Sequence, residues 1–335
     1  MKDRFKYLDF PLEKITFQTL MRNEEIFTEF RNTSPEPTTP AKIMQAYGEV
    51  KFPPAPDNRP YLFASIVESM DGKICYMDDT HGDLIAGANL RDPEGALGDF
   101  WVLNMLRFYC DGVIIGARTL QTDEVMWVNT YDKELADLRM DYLGKKHLAP
   151  AHIVVSFDAT DIPYEHMIFD VDAPLIIATS PNGLAYAKNK LQQDFLTIGP
   201  YKNIQEIDLE IINGLLEQKE RQRLLISTGE GSNPDGKILL YLLKHLGLER
   251  VLVESPSYMT YLMSEACMDE MFMNYSSVFA AGKIGFGTFL DFSVKNHPHS
   301  DLIQIGLHKA NFIATRQKMI YGLSYTNFTS MQASS

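Results

Sequence analysis

The chain has 335 residues, 45% of them hydrophobic, and a formal net charge of −13 at pH 7. That length and apolar content suffice to bury one large core or two smaller ones, which excludes global disorder, and the acidic balance leaves little clustered Lys and Arg to grip a phosphate backbone, which argues against a nucleic-acid partner. Cys75, Cys110 and Cys267 lack CxxC spacing and read as reduced thiols; with no apolar targeting core at the N-terminus and no run reaching the roughly 18 apolar residues of a membrane span, the cytoplasm is the expected compartment and a membrane partner is not expected.

Residues 1–58 stand apart. Apolar positions Ile15, Leu20, Ile26, Phe27 and Phe30 recur at loosely helical spacing, and the prolines of 33–40 (TSPEPTTP) end any helix. A helical arm and a proline-rich linker are expected, with a second proline group at 52–60 preceding a domain that starts at residue 59. From there, aliphatic strand-like runs at 61–67, 112–116, 152–156, 174–179, 223–227 and 250–254 alternate with helical patterns at 96–109, 183–193, 208–219, 237–246 and 258–267. Such alternation predicts an α/β fold with helices on both faces of a sheet. Three further strands are expected at 271–279, 300–307 and 312–323, the last two as an antiparallel edge hairpin, which makes the sheet mixed and mostly parallel. The domain then ends near 325, leaving 326–335 as a tail.

Four motifs sit where apolar runs end: ESMDGKI from Glu68, IIGARTLQTD from Ile114, VLVESPS from Val251 and MDEM from Met268. Strand ends of open α/β sheets are where ligands bind. Gly116 and Ala117 allow a backbone to approach a ligand, and Thr119 offers a hydroxyl to phosphate or a plain helix cap. Ser255, Pro256 and Ser257 lead into a helix near Tyr258 whose N-terminus suits a pyrophosphate, although ordinary capping also explains Ser257. Ser69 and Asp71 precede Gly72 in a turn, and Asp71 there is either an Asx-turn acceptor or an acid. Glu68, Asp71, Asp123 and Glu254 are the candidate proton donors, with an ordered water as the alternative. Arg107 presents a fork suited to phosphate or to a structural carboxylate. The HxH of His297 and His299 lacks a third ligand, so no metal is expected.

Taken together, these motifs resemble the riboflavin-biosynthesis pyrimidine reductase family, whose fold is that of dihydrofolate reductase. The likeness runs from Arg59 to about Phe289, through Ser69-Met70-Asp71-Gly72-Lys73, Leu106-Arg107, Asp111-Gly112-Val113, Gly116 to Thr119 with Asp123, Val251 to Glu254, and Asp269-Glu270. The resemblance implies NADPH-dependent reduction of a phosphoribosylamino-pyrimidine and a homodimer. It implies cofactor contacts at Gly116, Ala117, Thr119, Asp123, Ser156, Ser255, Pro256, Ser257 and Tyr258. Substrate contacts are implied at Ser69, Gly82, Asp83, Arg107 and Glu254, and catalytic roles are assigned to Asp71 and Glu254.

Three features depart from the family pattern. Ser255-Pro256 replaces a pair of small residues, Ser65 stands where a lysine is frequent, and no arginine follows Asp123 near Thr130. The first 58 residues hold neither His nor Cys, so no zinc deaminase module is present in them. Two alternatives follow: a non-catalytic nucleotide-binding or interaction protein that kept the fold, and a reductase with a changed substrate such as a pterin.

Overall fold

A computed structural model describes residues 7–122, 127–145, 147–192, 194–216 and 223–323. Its strands are β1 (Gln18–Arg22), β2 (Tyr61–Ser69), β3 (Gly112–Gly116), β4 (Ala151–Val155), β5 (Leu175–Thr179), β6 (Leu196–Tyr201), β7 (Arg223–Thr228), β8 (Arg250–Val253), β9 (Glu270–Ser276), β10 (His299–His308) and β11 (Phe312–Ile320). They form one sheet in the order β1-β10-β11-β9-β2-β8-β3-β4-β5-β7-β6. From β9 to β6 every neighbouring pair is parallel, whereas β11, β10 and β1 add on antiparallel to one another and to β9. The sheet is therefore mixed and mostly parallel, as its alternating runs predict, and the C-terminal hairpin β10–β11 forms as expected, except that β1 pairs outside β10 and takes the edge.

Side-chain alternation divides the core between the two faces. Leu62, Ala64, Ile66 and Val253 face the helices Gly236–His245 and Pro256–Ser264, while Tyr61, Phe63, Leu252 and Phe272 face the helix Gly95–Tyr109 and the N-terminal segment. Parallel strands covered on both faces must be apolar almost throughout, and β3, β5 and β8 are.

Two strands escape the sequence pattern. In β1 no residue is buried, and Leu20 is 56% exposed. Backbone pairing to β10 therefore makes the strand, where spacing from Ile15 to Phe30 reads as helix. In β6 the run is broken by Gly199-Pro200; its place at the sheet edge tolerates a residue that cannot donate to a ladder. The segment expected as a helical arm does hold helices at Glu24–Thr33 and Ala41–Ala46, but Phe10, Ile15, Phe17, Ile43, Tyr47 and Phe52 lie in the same apolar cluster as Phe63 and Phe272.

Candidate active site at the carboxyl edge of the sheet

Because β2, β3, β4, β8 and β9 are mutually parallel, Ser69, Gly116, Ser156, Glu254 and Ser276 all lie along one edge of the sheet. The chain leaves β2 at this edge and re-enters at the opposite end of β3. The helix Gly95–Tyr109 between them consequently starts above the strand ends and runs back along the sheet. In open α/β sheets the crevice that takes a ligand lies outside such strand ends, here between them and the first turns of this helix.

The two Gly/Ser turns meet. Glu254 N–H donates to the Ile114 carbonyl at 2.9 Å, which sets β8 beside β3. A side chain at Gly116 would stand 2.9 Å from Ser255 Oγ, so glycine is what lets the turns touch. Ser255 makes no side-chain cap, leaving the first N–H groups of the helix Pro256–Ser264 without the usual acceptor, while Pro256 removes one donor from that set. The hydroxyls of Ser255 and Ser257 are 3.4 Å apart at this end. Tyr258 contributes only backbone here, since its hydroxyl lies toward Gly236 on the far face. Ala117 is buried, Thr119 lies one turn into the next helix beside Gly116, and Asp123 falls outside the described residues.

Other sequence candidates are committed to local structure. Asp71 accepts from Ser69 Oγ at 2.6 Å and from the backbone N–H of Ala280 (3.1 Å) and Ala281 (2.8 Å). These bonds, that from Ser69 foremost, hold its carboxyl below the usual value, so it stays charged at neutral pH. Ser69 also accepts from Lys73 N–H at 2.9 Å, so the pair clamps the turn after β2 to the segment following β9. Ser156 donates to Asp161 and accepts from Ala159 N–H, closing the turn after β4. Glu68 is raised by burial, but in β2 it alternates with Ser69 and lies on the opposite face with Ile66. Gly82 and Asp83 are exposed and lead into the short helix Leu84–Gly87 beside β2.

Arg107 and Glu254 pair with one another. The guanidinium donates through Nε at 2.8 Å and Nη2 at 2.7 Å to the two carboxylate oxygens, both side chains being under a tenth exposed. This two-point fork fixes the helix to the end of β8 and forms the inner wall of the crevice. Behind it Nη1 reaches the Asn129 carbonyl at 3.4 Å, and the Asn129 amide and Thr130 hydroxyl are fully buried without partners among the described residues.

Two residues of the crevice have no signal in the motifs. Asp99, in the second turn of Gly95–Tyr109, accepts from Asn274 Nδ2 of β9 at 2.6 Å. Burial pushes its carboxyl up to about 6, against the Asn274 bond that pulls it down, and the charge of Asp83 adds to the rise. Register places Asn274 beside Val67 and Ser276 beside Ser69. Asn274 Oδ1 and Ser276 Oγ are buried and have no hydrogen-bond partner among the described residues. An acid set among Gly, Phe and Trp in GALGDFWVL was the available clue.

No protein-family model and no curated protein matches the sequence. Among solved structures, a pyrimidine reductase-like protein from Corynebacterium diphtheriae matches with a TM-score of 0.54 at 15% identity, over 79% of this chain and 94% of that one. A diaminohydroxyphosphoribosylaminopyrimidine deaminase/5-amino-6-(5-phosphoribosylamino)uracil reductase from Thermotoga maritima matches with a TM-score of 0.50 at 13% identity, over 78% of this chain. The chain spans 57% of the length of that Thermotoga protein. At these identities the likeness establishes architecture: the chain has the dihydrofolate-reductase-like fold of the pyrimidine reductases.

Proposed function

We propose that this protein is a reductase that uses a nicotinamide dinucleotide, NADPH by the family resemblance, to reduce a phosphoribosylaminopyrimidine or a related heterocycle. The observation that carries the reading is the meeting of Gly116 with the uncapped start of Pro256–Ser264 at the carboxyl ends of adjacent parallel strands. Backbone approach allowed by glycine, unpaired helix N–H groups and the positive end of a helix dipole are the features a pyrophosphate requires. These residues fit the dinucleotide despite the donor lost at Pro256.

When bound, the dinucleotide supplies hydride. The chain's own part is to hold the pyrophosphate between the Gly116 and Ser255 turns and to use the paired Arg107–Glu254 wall and the Ser69–Asp71 turn to shape the crevice. Orienting two reactants in this way accounts for a large part of an enzymatic rate. The proposal extends to a cytoplasmic homodimer by the same resemblance, and no helix among the described residues is long and apolar enough to cross a membrane.

Titration with NADPH and NADH, followed by nicotinamide fluorescence, tests the reading. Binding with a dissociation constant of about 1–100 μM, tighter for NADPH, is the expected result. No binding of either would favour a chain that kept the fold and lost the reaction, the alternative motivated by Pro256 and by Ser65 in place of a lysine.

A further inference from the structure

We propose that the Ser257 hydroxyl donates to the pyrophosphate of the dinucleotide in place of the N–H that Pro256 removes, and that the Ser255 hydroxyl positions it. This rests on the reductase reading above and assigns the residues by which this chain compensates for the donor lost at that turn.

A count of donors at the turn carries the assignment. In the first turn of Pro256–Ser264 the proline supplies no N–H, and the N–H groups of Ser257 and Tyr258 donate to nothing among the described residues. The residue in the N-cap position is Ser255, so capping does not account for Ser257, whose hydroxyl meets only Ser255 Oγ, at 3.4 Å. Ser255 itself has the extended backbone of an ordinary N-cap, with φ −108° and ψ 110°, yet its side chain caps nothing. A serine in that position normally accepts from the second or third N–H of its helix. Ser180 does so at the other Ser-Pro start, accepting from Gly183 N–H at 3.1 Å ahead of the helix Pro181–Lys190.

Ser255 Oγ lies instead in the gap between the two turns, 2.9 Å from where a Cβ of Gly116 would stand, and Thr119 Oγ1 is 4.0 Å from the same point. The space that the glycine leaves open is thus bordered by hydroxyls. Ser255 is 4% exposed, whereas Ser257 faces solvent. Each hydroxyl has one proton to donate, and whichever serine donates across the 3.4 Å contact, one proton of the pair has no acceptor among the described residues. In the arrangement assigned here Ser255 O–H donates to Ser257 Oγ, and Ser257 O–H is left for a phosphate oxygen. A chain of two such bonds ending on an anion strengthens both. The acid next in sequence does not repel the anion, because both Glu254 carboxylate oxygens accept from Arg107.

The test titrates the full-length protein with NADPH by nicotinamide fluorescence and follows bound NADPH by 31P NMR at saturation. Ser257→Ala is expected to weaken NADPH binding by about 10- to 100-fold, the range for a lost hydrogen bond to a charged group. Ser257→Thr keeps the hydroxyl and should stay within about threefold of the native chain. Ser255→Ala should cost about threefold in the native chain and nothing further once Ser257 is alanine, the non-additivity of a residue that acts through another. The 31P resonances of the bound pyrophosphate should move in Ser257→Ala, while that of the 2′-phosphate should not. Unchanged affinity in Ser257→Ala, an equal loss in Ser257→Thr, additive losses at the two serines, or a pyrophosphate signal that does not move each overturns the assignment and leaves the reductase reading intact. Failure of the native chain to bind either NADPH or NADH overturns both.

Discussion

At the scale of single residues, the Arg107–Glu254 fork shows how one geometry supports two meanings. The resemblance assigns these two residues to substrate, yet the structure closes the fork on itself. Removing one member strands the other charge in the interior, so Arg107→Met should destabilise the protein by about 3–5 kcal/mol, while Arg107→Met with Glu254→Leu should recover much of the loss. Urea denaturation of the three variants checks this; equal stability for Arg107→Met would show the pair to be solvated. His152 gives a second measurable effect. Burial, with the nearby Arg107 charge, lowers its imidazole to about 3, and its Nε2 accepts from Val128 N–H at 2.8 Å. Its unfolded-state value of about 6.5 exceeds the folded one, so the unfolded chain binds more protons between them. The stability this neutral imidazole contributes is therefore present above about 6.5 and lost as pH falls toward 3. His152→Gln should flatten that part of the acid-unfolding curve; an unchanged slope would show that His152 is not its source.

At the scale of elements, the decisive event is the contact of two strand-to-helix turns more than a hundred residues apart in sequence. Each was legible as a glycine or serine at the end of an apolar run, but their contact depends on β8 inserting between β2 and β3, which no local pattern encodes. Gly116→Ala places a Cβ 2.9 Å from Ser255 Oγ and should weaken NADPH binding by on the order of tenfold. Adding Ser255→Gly removes the obstructing hydroxyl and should restore much of that affinity in the same fluorescence titration. Loss without rescue would mean that the turns hold no ligand. Elements whose pattern is their burial, such as β3, β5 and β8, were read correctly from the chain. Elements formed by pairing alone were not: β1 has no buried side chain, and β6 carries a proline that only an edge strand accepts. Asp99 has no mark in the sequence for a related reason, since an acid in an apolar helix has no periodic signature until Asn274 comes to bond it.

At the scale of the whole molecule, residues 7–58 are joined to the rest through the core. Phe27, Phe30, Phe52 and Phe272 surround the Arg316 guanidinium, with the nearest ring centroid at 4.9 Å, and Arg316 also donates to the Lys51 carbonyl at 2.7 Å. Gln304 of β10 donates to the Tyr47 carbonyl at 2.9 Å, and β1 pairs with β10 along the sheet's edge. Deletion of residues 1–58 would remove three of the four rings around this cation and expose it, so a chain beginning at Arg59 is expected to lose cooperative thermal unfolding in calorimetry. A sharp transition in the truncated chain would instead show the N-terminal segment to be an appendage. The sequence by itself determined the fold class, where along the chain its buried strands lie and the turns that could take a ligand, because burial on both faces writes itself as apolar periodicity and a glycine at a strand end is a local requirement. Only the tertiary structure decided which acids are paired with a cation and how the N-terminal segment joins the sheet, because charge pairing and strand addition depend on residues that approach through space.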